Sequence, residues 1–216
     1  RLSSSRPHSQ NDDAPLAAVP PLGPGKVAAY FRMHFFDGVT VHDTDFVDEP
    51  MGHGTHVAGT AAGGLVDGSR LCQTGSVESS ARIIFFDFMK EGDEYLSVPI
   101  MLTPLMETSY RMGSRIFTNS WGSESGEDYD FYAYEMDKFV YEHDDYVILC
   151  AAGNSGPGPR TLGSPAVFKN GITVGATENT HESFIRDEFN HDHVMHNAQF
   201  YTEDNKAAFS SVGPAK

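Results

Sequence analysis

Between Ala81 and Ala152 the chain alternates between two kinds of hydrophobic pattern, and this alternation restricts the fold more than any other feature. Ala81–Phe88 (ARIIFFDF) is a short, nearly continuous apolar run, as expected for a strand covered on both faces. Val98–Met112 has Met101, Leu102, Leu105, Met106 and Met112 at helical spacing, and Gly113 is placed to stop the helix. Arg115–Asn119 returns to a strand pattern. Tyr129–His143 predicts a second amphipathic helix, with Phe131, Tyr134, Phe139 and Val140 apolar. Tyr146–Ala152 reads as a strand, and Gly171–Ala176 as one more. Strand, helix, strand, helix, strand in this order argues for an α/β fold, with a mostly parallel sheet flanked by helices.

The flanking sequence adds less. Residues 1–26 are rich in Ser, Pro, Asn and Asp and read as a loop or linker. Val27–Phe36 is apolar and β-favouring, Asp37–Pro50 is acidic and turn-like, and His53–Ala62 reads as a short helix ended by Gly63-Gly64. The 216 residues suffice for one domain with a sizeable core, and 39% apolar with 21% charged residues is a globular composition. No stretch approaches the roughly 18 consecutive apolar residues of a membrane span. A net charge of −15 argues against a nucleic-acid partner, because no basic stripe exists to neutralise phosphates. Cys150 ends an apolar run and reads as a buried small hydrophobe, whereas Cys72 lies in a polar stretch and could form a disulfide.

In open α/β sheets functional groups gather at the carboxyl ends of the strands. Two such ends carry unusual sequences here, Thr118-Asn119-Ser120-Trp121-Gly122 and Ala151-Ala152-Gly153-Asn154-Ser155-Gly156. A third stretch, Gly52-His53-Gly54-Thr55-His56-Val57-Ala58-Gly59-Thr60, brings a histidine into a helix of small residues. A neutral imidazole suits a general base. Taken alone, His53 and His56 also fit two satisfied helix-start histidines. A metal pair would need further ligands, and neither HExxH nor a cysteine pair is present. Asn154 supplies an amide N–H suited to a developing oxyanion, yet Gly-Asn-Ser-Gly is also ideal turn composition.

Taken together, these motifs resemble those of the subtilisin family, or subtilases. The Gly-His-Gly-Thr-His-Val-Ala-Gly-Thr segment is similar to that family's histidine motif, which makes His53 the catalytic histidine and His56 structural. Ala-Ala-Gly-Asn after an apolar strand resembles the oxyanion segment, with Asn154 as donor, 101 residues after His53. Ser120, Trp121 and Gly122 resemble the segment lining the S1 pocket and pairing with the substrate backbone, and Ala152 and Gly153 belong to the same substrate-binding set. Ser164-Pro165-Ala166, Ile172–Ala176 and Phe209–Pro214 resemble later parts of the domain. The resemblance implies a three-layer subtilisin-like fold. It also implies a serine endopeptidase acting on protein or peptide substrates, with no cofactor required. Residues 27–216 would be a partial catalytic domain, secreted or vesicular rather than cytoplasmic.

The family requires Asp, His and Ser in that chain order. No Gly-Thr-Ser-Met-Ala-type motif is present. Ser210 lies near the family's histidine-to-serine spacing of about 157 residues, but its neighbours match the Phe-Ser-Ser-x-Gly-Pro strand, so it reads as structural. Asp37 is only 16 residues before His53, Asp12 and Asp13 lack a preceding strand, and Asp37, Asp43 and Asp45 read as solvated turn or surface carboxylates. The nucleophile is therefore expected beyond Lys216 and the aspartate before Arg1. Acidic loops are compatible with a structural Ca²⁺, although no EF-hand spacing appears. His191, His193 and His196 read as an exposed loop rather than a metal site. A subtilase-like binding module without a nucleophile and a metal-dependent hydrolase are the rival functions. The sequence leaves oligomeric state open.

Overall fold

The computed structural model describes residues 22–32, 34–36, 41–43, 52–63, 80–89, 95–123, 128–178 and 204–215. The Val27–Phe36 run divides into β1 (Val27–Arg32) and β2 (His34–Phe36). β2 pairs antiparallel with β3 (Val41–Asp43), so the acidic stretch expected to be all turn contributes a short strand. β1 runs parallel to β4 (Ile83–Asp87), with Tyr30 stacked on Phe85 at 5.2 Å and Phe31 on Phe86 at 5.1 Å between ring centroids. Helix α1 (His53–Ala62) has the expected bounds. Gly52 caps it with φ 68°, and Gly63 closes it by donating to Gly59 O at 2.8 Å.

The main core is formed by helix α2 (Thr103–Arg111), β5 (Ile116–Asn119), α3 (Phe131–Glu142), β6 (Val147–Ala151) and β7 (Ile172–Val174). The three strands form a parallel sheet in the order β5-β6-β7, with Thr118 opposite Leu149 and Leu149 opposite Ile172. Phe86 of β4 meets Phe117 of β5 edge to face, with 6.3 Å between ring centroids. Leu102 and Met106 meet Ala133, Met136 and Phe139, and both helices close over Ile148 and Cys150. Cys150 is the buried hydrophobe expected from its apolar run. Its Sγ lies 3.7 Å from Met136 Sδ, and burial pushes the thiol up to about 12. Gly113, at φ 96°, ends the α2 region as anticipated.

Two expectations about the helices need correction. Helix α2 begins only at Thr103, because Glu135 of α3 caps it from the side. The Glu135 carboxylate accepts from Leu102 N at 2.7 Å, Thr103 N at 3.3 Å and Thr103 Oγ1 at 2.7 Å. Carboxylates at a helix N-terminus satisfy orphan amides and complement the dipole. On α3, Phe131 and Tyr134 face outward, whereas Glu135 and Asp137 are buried. Asp137 accepts from Lys169 N, Asn170 N and Tyr129 OH at 2.7–3.1 Å. Its bond and burial hold the Tyr129 phenol at about 12, with burial the larger cause. The two acidic side chains face the core because it contains backbone N–H groups that need acceptors. On the sheet face away from α2 and α3, Ile116, Val147, Ile172 and Val174 are exposed.

Candidate active site

The carboxyl ends of β5 and β6 lie side by side, Asn119 opposite Cys150, and the two unusual sequences leave from there. After β6, Ala152 is buried and donates to Val174 O at 2.8 Å, continuing the ladder by one residue. Gly153 then turns the chain with φ 105°, a conformation that side-chain-bearing residues rarely adopt. Asn154 follows, exposed, at the top of the sheet. The turn is fixed from behind by the 207–213 segment. Ser211 N donates to Gly153 O at 2.9 Å, Ser155 N to Ser211 Oγ at 3.1 Å, and Gly156 N to Phe209 O at 2.8 Å. Farther along, Thr161 and Val212 exchange hydrogen bonds, Thr161 N to Val212 O and Val212 N to Thr161 Oγ1, both at 2.9 Å.

Ser210, the serine at the deceptive spacing, is 1% exposed. Its Oγ accepts from Ala176 N at 3.0 Å. A hydroxyl enclosed in this way is a strand-to-loop tie, as its neighbours in the sequence suggested.

After β5, Trp121 packs its indole edge-to-face between Phe88 and Tyr132, each 6.0 Å away. Burial raises the Tyr132 phenol above its ordinary value. Ser123 N donates to Ser164 O, and Ser164 N to Ser123 Oγ, both at 2.9 Å. Ser120 is half-buried and Gly122 exposed. A Cβ on Gly122 would come within 2.8 Å of Ser164 O, so the segment tolerates no side chain there. The indole ring is thus occupied by packing, and the segment presents mainly its backbone and Ser120.

The described contacts unite the 120–123 segment, the 152–156 turn and the 207–213 segment through the β5–β6 ends and the 163–166 loop. His53 sits in the first turn of α1, exposed, and the helix buries only Ala62. Asp12, Asp13, Asp37, Asp45, Cys72 and the histidines at 191, 193 and 196 lie outside the described residues. Among the described residues no cluster of three or more His, Cys, Asp or Glu could hold a metal ion. No helix among them is long and apolar enough to cross a membrane. The sequence reading passed over Asn119 and Ser211. Both stand inside stretches already singled out, but the bond Ser211 makes gave no signal, because its partner is 56 residues away.

A glycine–asparagine turn at one strand end and a glycine-containing segment at the next place side-chain and backbone N–H groups at the carboxyl ends of a parallel sheet, where functional groups gather. The sequence matches the subtilase family over residues 28–216, and the chain belongs to that family of serine proteases. It is 40% identical over 155 residues to the serine protease/ABC transporter B family protein tagD of Dictyostelium discoideum, a match covering 68% of this chain and 8% of that protein. The same organism's tagB is 33% identical over 168 residues, covering 75% and 9%. Subtilisin-like protease SBT1.4 of Arabidopsis thaliana is 34% identical over 133 residues, covering 58% and 16%. The chain therefore spans less than a fifth of the length of these relatives. Among solved structures, the prenylagaramide maturation protease PagA superposes with a TM-score of 0.51 at 21% identity, covering 76% of this chain and 48% of that one. A psychrophilic protease gives 0.51 at 24%, covering 89% and 56%. These two neighbours share the α/β subtilisin-like fold.

Proposed function

We propose that residues 27–216 are part of the catalytic domain of a serine endopeptidase that hydrolyses peptide bonds in protein or peptide substrates. In this reading a serine attacks the scissile carbonyl, His53 takes its proton, and an aspartate fixes the imidazole tautomer. The Asn154 side-chain amide donates to the oxyanion, and the backbone of Ser120, Trp121 and Gly122, together with Ala152 and Gly153, frames the substrate. The serine and the aspartate come from sequence outside residues 1–216. No step runs through a metal or an organic cofactor. Family membership also supports a secreted or vesicular location.

The observation that carries the reading is the Asn154 turn, held on its inner side by Ser211 and open on its outer side. The test uses the full-length protein and a fluorophosphonate probe, which labels only an activated serine. Labelling that His53→Ala abolishes, with turnover lowered on the order of 10²–10³-fold by Asn154→Ala, is the expected result. Absence of labelling in the folded protein would instead favour a subtilase-like binding module. Labelling that survives His53→Ala would remove His53 from the role of base.

A further inference from the structure

Asn119 is 3% exposed at the carboxyl end of β5, and its carboxamide is used at both ends. Nδ2 donates across the sheet to Leu149 O of β6 at 3.3 Å. Oδ1 accepts from Trp121 Nε1 at 3.2 Å. One side chain therefore links the strand that leads to Asn154 with the indole of the 120–122 segment. The indole has no freedom of its own, since Phe88 at the end of β4 and Tyr132 on α3 hold its two sides. Two residues later the Ser123–Ser164 pair fastens the segment again. Ser120 and Gly122 lie between these two fastenings.

We infer that Asn119 is a positioning residue, which sets the 120–122 segment at a fixed offset from the Asn154 turn so that a peptide backbone meets both at once. This rests on the proposed endopeptidase reading and adds to it a residue that touches no substrate. The reasoning is geometric. Asn119 and Cys150 are paired, so the carboxamide sits at the point where the two chain segments diverge, and it bonds to both sides of the divergence. An aliphatic residue of the same size would fill the volume, and would remove the side-chain bond to Leu149 O and leave the indole N–H without its acceptor.

The test compares Asn119→Ala, Trp121→Phe and the double variant in the full-length protein, using a peptide substrate of about eight residues and an acyl-dipeptide amide. Trp121→Phe keeps a ring between Phe88 and Tyr132 while removing the donor and part of the indole, so it serves where Asn119→Ala fails to fold. Each single change is expected to raise KM for the long peptide about fivefold to tenfold, the size of one hydrogen bond, with kcat within about twofold. The dipeptide amide should be affected less. The double variant should be no worse than the poorer single one, because both remove the same link. Trp121 is the single tryptophan of residues 1–216, so in a preparation of this chain its emission should become more quenchable in Asn119→Ala. Folded variants with wild-type KM for the long peptide, or strictly additive effects, would overturn the inference. A wild-type protein that cleaves neither substrate would sink the endopeptidase reading. The positioning role would then be judged by Kd for the long peptide, and equal affinity in wild type and Asn119→Ala, or no binding by either, would overturn it too.

Discussion

Gly153→Ala should be the most informative single substitution at the strand ends. Gly153 adopts φ 105°, and an added Cβ would lie 2.9 Å from Ser211 Oγ and 3.6 Å from Ser211 Cβ. The backbone conformation alone costs an L-residue about 1–2 kcal/mol. The Ser211 hydroxyl must move, and it then loses its bond from Ser155 N, worth about 1 kcal/mol. The expected loss is about 2–3 kcal/mol. Two other glycines separate these contributions. Gly113 has φ 96° with nothing within 4 Å of its Cβ, so Gly113→Ala should cost only the conformational share, about 1–2 kcal/mol. Gly158 has open space and no positive φ, so Gly158→Ala should be neutral or stabilise by up to about 1 kcal/mol. Urea midpoints at unchanged m-value give the three numbers. Under the proposed endopeptidase reading, Gly153→Ala in the full-length protein should also lower turnover on the order of tenfold to a hundredfold, because Asn154 is displaced. Equal losses for Gly153→Ala and Gly113→Ala would show that Ser211 yields freely and that the 207–213 segment does not brace the turn.

Glu135→Ala should destabilise by about 3 kcal/mol, because two backbone N–H groups and the Thr103 hydroxyl lose a buried carboxylate at the start of α2; a urea titration showing under about 1 kcal/mol would mean that water replaces the cap. The Arg115 guanidinium, bonded at 2.7 Å, and then the Tyr110 hydroxyl hold the Asp145 carboxyl below its ordinary value of 3.8. A depressed carboxyl contributes stability above its unfolded pKa and loses it as pH falls through the folded one. The stability difference between wild type and Arg115→Met should therefore be level above about pH 5 and shrink in more acid solution. A difference that grows on acidification would contradict the pairing. Ile148→Ala, on the covered sheet face, should cost about 2–5 kcal/mol, whereas Ile172→Ala, 51% exposed on the other face, should cost less than about 1 kcal/mol in residues 1–216. Similar costs would show the second face to be covered as well.

The order of elements from β4 to β7 was legible because each strand is a short apolar run and each helix between them has a 3.6-residue stripe. Legibility failed where side chains act across long sequence distances. The apolar stripe on α3 included Phe131 and Tyr134, which point outward, and it excluded Glu135 and Asp137, which point inward. Hydrophobic periodicity assigns carboxylates to the solvent face. It has no way to register that Leu102, Thr103, Lys169 and Asn170, all more than 30 residues from their acceptors, present backbone N–H groups to the interior. The short β2–β3 ladder escaped notice for a related reason. Its second strand, Val41–Asp43, lies in acidic sequence whose turn-forming composition outweighs three residues of strand pattern.

The same distinction separates the parts of the candidate site. The His53 and Asn154 motifs were visible because each sets special residues close together in sequence, glycines that admit a close approach beside a polar side chain proposed to do chemistry. What holds them was not visible. Gly153 could be recognised as a turn residue, but its bracing by Ser211 could not, since a serine 58 positions later carries no mark of the bond it makes. Asn119 sat inside a recognised motif and was passed over in favour of its neighbours, because an asparagine at a strand end reads as a turn former and its two partners are a backbone carbonyl and an indole. The chemistry of an acyl-transfer site depends on donors held still where charge develops. Here the residues that hold them still are buried, polar and distant in sequence, and they emerge only once the strands are paired.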